Sequence, residues 1–413
     1  MTRTAAAGYY LAVGQWVSYV GDLAFSVALA IWIRDQTGLA SAAGLLMTTA
    51  AVGGLIAPLL SGDLGRLGWR HTLIITDLLC AVFLGSLIWG HGSVRVVLAM
   101  LLAFLLGIAA VLIASAQAIG IVTLVEDERL PRWNSIIQTG QEGLRLVAPL
   151  IGALIYGVHA NIREVAIVDA ATFVVSASLV LPIKSSNTKP DVGAEPAEEK
   201  SSTGRARLIA DGIRAMWSHS TMRTALSTAI IAITAIGLLQ PALFALLATS
   251  LHSTTRLIAI FVSSQAVGAI IGGLSAATAV RKLGTGHAAS LSTIGTGISI
   301  LLFLVPVLAV DCCAAAAAGF FLSIIVVAFV TALQRGATDQ TAASVMTSAE
   351  AAAAVAQPIG LGAGTVALAA TVPWQGLVVA AGAVGIVAGT MELLRSRSIQ
   401  SDLFAEPAGV GEG

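Results

Sequence analysis

Charge is scarce in this sequence. Asp, Glu, Lys and Arg make up 11% of its 413 residues, less than half the share of about 25% in an ordinary soluble domain, and a soluble fold could not cover itself with so few. The 22 basic residues are balanced by 22 acidic ones, so the positive excess that phosphate backbones select is missing, which argues against nucleic acid as a partner. Cysteine is nearly absent too. Cys80 stands alone and Cys312 and Cys313 are adjacent, a pattern that builds neither a disulfide framework nor a zinc site. The histidines, His71, His91, His159, His219, His252 and His287, fall in or near loops and share no ligand spacing. No G-x-x-x-x-G-K-[ST] is present to hold a nucleotide, and no G-x-S-x-G or S-x-x-K stands where it would serve a nucleophile. The sequence predicts no enzyme, no cofactor, no metal site and no catalytic residue.

What is there is oil: 57% of the residues are hydrophobic. They gather into apolar runs long enough to cross a hydrocarbon layer of about 30 Å, which takes roughly 20 helical residues. The runs lie at 9–33, 39–61, 72–90, 95–122, 135–157, 165–183, 222–250, 257–280, 288–309, 312–333, 350–370 and 376–394. They are continuous rather than alternating, and a spanning backbone must satisfy its own hydrogen bonds, so each is predicted as a helix. The fold class expected is an all-α membrane protein with twelve transmembrane helices in two six-helix bundles. The first run is too long, and too weakly basic in front, for a cleaved signal peptide.

Orientation follows from the basic residues. With the N-terminus inside, only Arg34, Arg95, Arg163 and Arg256 fall on the outer side and Arg145 falls within the membrane, while all other lysines and arginines lie inside. Both termini are therefore expected in the cytoplasm of a multi-pass plasma-membrane protein. The predicted domains are a first bundle at 1–183, a cytoplasmic linker at 184–221, a second bundle at 222–395 and a cytoplasmic tail at 396–413. The linker opens polar and rich in Pro and Gly, then turns into RARLIADGIRAMW, whose spacing suits a helix lying along the membrane face.

The two halves echo one another. RLGWRH at 66–71 aligns with KLGTGH at 282–287, and VAPLIG at 147–152 resembles VAQPIG at 355–360. Repeated six-helix units facing a central cavity are the architecture of secondary transporters that alternate between two openings.

Four stretches carry a family resemblance: GQWVSYVGDLAF at 14–25, GDLGRLGWRHTLIITDLLCA at 62–81, EDERLPRWNSIIQTGQEGLRLVAPLIGALIYG at 126–157 and VDAATFVVSASLV at 168–180. Through them nearly the whole chain resembles the major facilitator superfamily, in its twelve-span drug-efflux branch of macrolide-efflux and enterobactin-exporter-like proteins. GDLGRLGWRH is similar to the family signature G-x-L-A-D-R-x-G-R-R between spans two and three. Gly62, Leu64 and Arg70 match, while Arg66 stands where the family has its aspartate. The resemblance implies a gating role for Gly62, Asp63, Arg66, Arg70 and Asp77, with Asp63 or Asp77 replacing the missing aspartate as partner of the arginines. The fifth span is similar to the glycine- and proline-bearing signature of exporters, which implies helix bending at Gly143, Pro149 and Gly152.

Ionisable groups at membrane depth usually face a cavity or a partner. By helical rise, Asp22 lies about 20 Å from the inner end of its span, Glu142 about 10 Å and Arg145 about 15 Å from theirs, and Asp169 only about 6 Å from an outer end, where water would explain it. Glu142 and Arg145 share a helix face. In the family fold the first and fifth spans are neighbours, so the resemblance implies that Asp22 reaches Arg145. A motion that changes the distance between an acid and an arginine changes proton affinity, and Asp22, Glu142 and Arg145 are the proton-coupling candidates. Positions aligned with Glu142 and Arg145 in the second half are Ala351 and Ala354, so no counterpart charge is expected there. The fourth span lacks the arginine of many proton-coupled relatives and offers Gln117. With Asp22, Gln240 and Gln265 it makes up the expected substrate-cavity set. The expected function is secondary export of a lipophilic or amphipathic small molecule by proton antiport, by a monomer whose partners are the lipid bilayer, the substrate and protons. A proton-coupled nutrient or siderophore transporter, and a non-transporting scaffold or sensor, are the alternatives.

Overall fold

The computed structural model describes residues 3–37, 42–89, 92–159, 161–183, 202–249, 255–305, 307–338 and 340–404. Within them every regular element is helical, because in hydrocarbon an open chain can satisfy its backbone only by intrahelical hydrogen bonds. The first half comprises α1 (Arg3–Thr37), α2 (Ala42–Gly54) followed by a 3-10 turn (Ala57–Leu60), α3 (Ser61–Trp89), α4 (Gly92–Leu124), α5 (Leu130–His159) and α6 (Ile162–Val180). Then comes α7 (Ser202–Ser218), the amphipathic helix expected from RARLIADGIRAMW. The second half comprises α8 (Ser220–Thr249), α9 (Thr255–Leu283), α10 (Thr285–Leu301), α11 (Leu308–Gly336), α12 (Ala342–Ala369) and α13 (Trp374–Phe404).

Among the described residues, nine helices are long and apolar enough to cross a membrane. With α2, α5 and α6 the set fits twelve spans. The case of α5 shows why apolarity alone misses some: one face carries Asn134, Gln138 and Glu142, all buried, while the other carries Val147, Leu150, Leu154 and Val158, between 52% and 70% exposed. That outward apolar stripe at helical spacing is surface that lipid, not water, covers.

Several boundaries differ from expectation. The helix α12 begins at Ala342, upstream of the predicted span at 350, because its Ala-rich first turns favour helix regardless of hydropathy. Glu350 consequently sits inside the helix rather than at its edge. The helix α13 continues to Phe404, so the first part of the predicted tail at 396–413 is helical, and α8 starts at Ser220, at the edge of the predicted linker. The rest of the linker before Ser202 lies outside the described residues.

The echoed motifs occupy equivalent places. Helix pairs α1 and α5, α2 and α4, and α3 and α6 pack in the first half as α8 and α12, α9 and α11, and α10 and α13 pack in the second. GDLGRLGWRH, expected as a loop, is helical from Ser61 and broken at Gly68 (φ 74, ψ 156). Its counterpart Gly284 takes nearly the same conformation (φ 79, ψ 160) just before α10. In this region only glycine is comfortable, and another residue costs about 1–3 kcal/mol. Gly68→Ala and Gly284→Ala are each expected to lower the melting temperature of the purified protein, whereas Gly286→Ala, with nothing within 4 Å of an added methyl, leaves it unchanged. The second echo fixes close approach. A methyl at Gly152 would run into the Ala24 carbonyl of α1, and one at Gly360 into the Thr234 carbonyl of α8. The halves meet where α5 lies against α9 and α11, and where α12 lies against α2 and α4.

Candidate functional site

A stripe on α1 generates the site. Gln15, Ser18, Tyr19 and Asp22 recur at helical spacing and so share one face, while Leu11, Ala12, Phe25 and Ala28 are buried elsewhere in the half. The polar stripe opens on a cavity of about 150 Å³ that Gln117 of α4, Gln141 of α5 and Phe173 of α6 also line. The remaining wall is alanine, leucine and isoleucine from α4. The Nε2 groups of Gln15 and Gln117 are buried and find no partner within the protein. Such groups cost about 1–3 kcal/mol apiece if nothing satisfies them, so two unsatisfied donors stand in the wall beside the cavity.

Of the expected cavity set, Asp22 and Gln117 line this space, while Gln240 of α8 and Gln265 of α9, both half-buried, do not. Gln15, Tyr19 and Gln141 were not singled out from sequence. The signal for Gln15 and Tyr19 was the spacing of 15, 18, 19 and 22 on one face of α1, and Gln141 of α5 had none of that kind.

The proton-coupling candidates separate into two groups. Arg145 does not turn to Asp22. Its guanidinium donates to the Tyr19 hydroxyl at 3.2 and 3.4 Å and pairs with Glu142 at 3.3 Å, and Glu142 also accepts from Gln138 Nε2 at 2.9 Å. The chain Gln138, Glu142, Arg145, Tyr19 thus ties α5 to α1 one turn from Asp22, and Asp22 itself is left without a basic partner. Asp169, assigned to interfacial water by its depth, is in fact fully buried. Depth along the axis does not determine exposure: this residue lies on the face of α6 packed against α1. The second half does carry ionisable groups inside its helices. Asp311 is fully buried and Glu392 is buried, and Glu350 lies beside the alanines expected to replace the first-half charges. Glu392 is held by Thr224 Oγ1 at 2.8 Å and Arg395 at 2.9 Å.

The gating set is also divided. Arg70 donates to the Leu181 carbonyl at the end of α6, and Arg66 is exposed nearby. Asp77 meets neither arginine: it is fully buried and faces Ser176 of α6. Gly62 lies in the first turn of α3, and the side chains of Asp63 and Pro149 lie outside the described set. The expected bending residues sit in an unbroken α5, where Gly143 faces open space and Gly152 serves contact with α1.

A polar clamp joins the halves at the end of the bundle where α1, α3 and α5 begin. Asn134 Nδ2 of α5 donates to Thr331 Oγ1 at 2.9 Å and to Gln334 Oε1 at 2.6 Å, both on α11. Gln334 Nε2 in turn donates to the Ala118 carbonyl of α4 at 2.9 Å. Asn134, Thr331 and Gln334 are all buried. Alongside, Arg335 donates to the Asp127 carbonyl at 3.1 Å.

Comparison with known proteins gives a consistent pattern. A family model described as the Major Facilitator Superfamily matches residues 11–236. Among solved structures, a bacterial homologue of the iron transporter ferroportin in an outward-facing state is similar with a TM-score of 0.74 at 17% identity, covering 95% of this chain and 99% of that one. The human organic anion transporter MFSD10 is similar with a TM-score of 0.73 at 11% identity, covering 95% and 100%. The fucose:proton symporter FucP of E. coli is similar with a TM-score of 0.64 at 15% identity, covering 93% and 99%. At these identities the likeness speaks for the fold alone. Comparison with curated proteins gives no match.

Proposed function

The chain belongs to the major facilitator superfamily, which with its fold makes it a secondary transporter in the membrane and not an enzyme, and we propose that it exports a lipophilic or amphipathic small molecule in exchange for protons. The single observation behind this reading is the cavity beside α1. It has one carboxylate, Asp22, two buried amide groups without protein partners, and an otherwise apolar wall, the lining that suits a largely apolar ligand oriented by a few polar contacts. Both termini face the cytoplasm of a plasma-membrane protein in this reading, as the distribution of arginine and lysine favours. The amide clamp then closes the cytoplasmic side, as an outward-open member of an alternating-access cycle requires. Neighbours described as carrying iron, organic anions and fucose with protons indicate that one architecture accepts unlike cargo, and that proton coupling occurs within it.

Inverted vesicles containing the purified protein test the proposal with a panel of lipophilic antibiotics and siderophores. At least one compound is expected to accumulate when the lumen is acid, with a matching decay of the pH gradient, and a protonophore abolishes the accumulation. Flux that ignores the gradient, or runs only with it in the direction of import, would overturn the exporter reading.

A further inference from the structure

Asp169 is sealed between α1, α3 and α6, the helices that pack most closely on it. Its Oδ1 accepts a hydrogen bond from Thr172 Oγ1 at 3.3 Å, and its Oδ2 is buried without a partner. The carboxyl lies directly against Gly21: a methyl group there would run into both Asp169 Oδ1 and Thr172 Oγ1. The next residue along α1 is Asp22, close enough to Asp169 for the two charges to interact, and Asp22 also opens on the cavity. Behind the pair, Ser176 of α6 is fully buried and turned toward Asp77, yet its hydroxyl completes no hydrogen bond of ordinary geometry. Cys80, one turn from Asp77 on α3, is buried.

Among the described residues no cationic side chain is paired with them. Arg145 is committed to Glu142 and Tyr19 and Arg70 to the end of α6. Among the described residues no three His, Cys, Asp or Glu side chains converge as metal ligands. Two carboxylates at close range in a poorly polarisable interior do not both ionise, and a proton divided between them stabilises the pair.

We propose that Asp22 and Asp169 form a proton-sharing pair across Gly21, with Asp22 the member open to the cavity and Asp169 the sealed member. One O–H bond forms when the pair takes up a proton from cavity water, and the same bond breaks when that proton returns to it. The charge of the pair moves between minus one, with one proton divided between the two carboxyls, and zero, with no other reactant. The titratable groups facing it are Asp77 and Cys80 from α3 and Tyr19 from α1, with Glu142 and Arg145 of α5 engaged with one another. α4 contributes no charged group to the cavity, only the Gln117 amide among apolar side chains. The pair stands on the contact of the Asp169 carboxyl with Gly21, the residue before Asp22, and its use in transport rests on the exporter reading.

Infrared difference titration of the purified full-length protein follows carboxyl protonation directly and needs no transported molecule, so it fails or succeeds independently of the exporter reading. Asp22→Asn, Asp169→Asn and the double variant are compared with the wild type. If the carboxyls share a proton, each single change displaces the titration midpoint of the remaining partner by about one pH unit or more, and the two single-variant differences do not add to that of the double variant. Gly21→Ala, which drives Asp169 away from α1 without removing either acid, makes the differences additive while circular dichroism and elution volume stay unchanged. Additive differences in the otherwise unaltered chain would overturn the proposal. So would a carboxyl signal that follows sodium or magnesium concentration in place of pH.

Discussion

Asp22→Asn is expected to uncouple the protein: export driven by a pH gradient falls at least about tenfold, a loss of about 1.4 kcal/mol of driving interaction, while exchange of substrate down its own gradient continues. The expectation follows from position. Among the described residues Asp22 is the one carboxylate lining the cavity and has no hydrogen-bond or basic partner, so its state of charge is free to follow what enters. Asparagine keeps the shape and one acceptor oxygen but takes no proton. Glu142→Gln is expected to do less to coupling, because Glu142 is already tied to Gln138 and Arg145. Its main effect is to release Arg145, which still has Tyr19. Gradient-driven export that survives intact in both variants would remove the coupling role from this cluster. A loss confined to Glu142→Gln would transfer that role to the α5 chain.

The second large effect is expected at the clamp. Gln334→Ala removes an acceptor from Asn134 and a donor from the Ala118 carbonyl in one step, in a place that water does not reach. Asn134 keeps Thr331 and the Ala118 carbonyl keeps its intrahelical donor, so two buried hydrogen bonds are lost at about 0.5–1.5 kcal/mol each, and that cost falls on the closed arrangement alone. The ratio of open to closed forms at this end therefore rises by roughly 5- to 150-fold, the range such coupling energies span. Spin labels at Glu128 and Lys282, both exposed and outside the clamp, report it: a longer second distance appears in Gln334→Ala and is absent before the change. A distance distribution identical to that of the unaltered protein would mean that packing, and not the amides, closes this end.

The sequence revealed more of the architecture than of the site. Lengths of apolar runs are a one-dimensional property, so the helices and their pairing into two repeats could be read directly, and the RLGWRH and KLGTGH echo even located two glycines with matching backbone. The polar stripe on α1 was half visible through Asp22. Gln15 and Tyr19 escaped because an uncharged polar residue in an apolar helix is common and carries no alarm. Asp169 was misjudged for a different reason: helical rise gives depth but not azimuth, and azimuth decided its burial. Glu350 was set at a helix edge because hydropathy marks where lipid begins, whereas alanine propensity marks where the helix begins. Asn134 and Gln334 belong to different halves, and nothing local in either stretch announces the other. What remained hidden was the choice of neighbour across helices, which only packing supplies.

Asn134, Thr331, Gln334 and the Ala118 carbonyl share one chemical trait: none of them gains or loses a proton in water's ordinary range, and none carries net charge. A bolt built from such groups is indifferent to acidity, to salt and to the voltage across the bilayer. In the proposed exchange of substrate for protons, the signal to unlock it therefore arrives mechanically, through α4 and α5, from the surroundings of Asp22. In the proposed cycle the part that listens to protons and the part that bars the door are made of different materials.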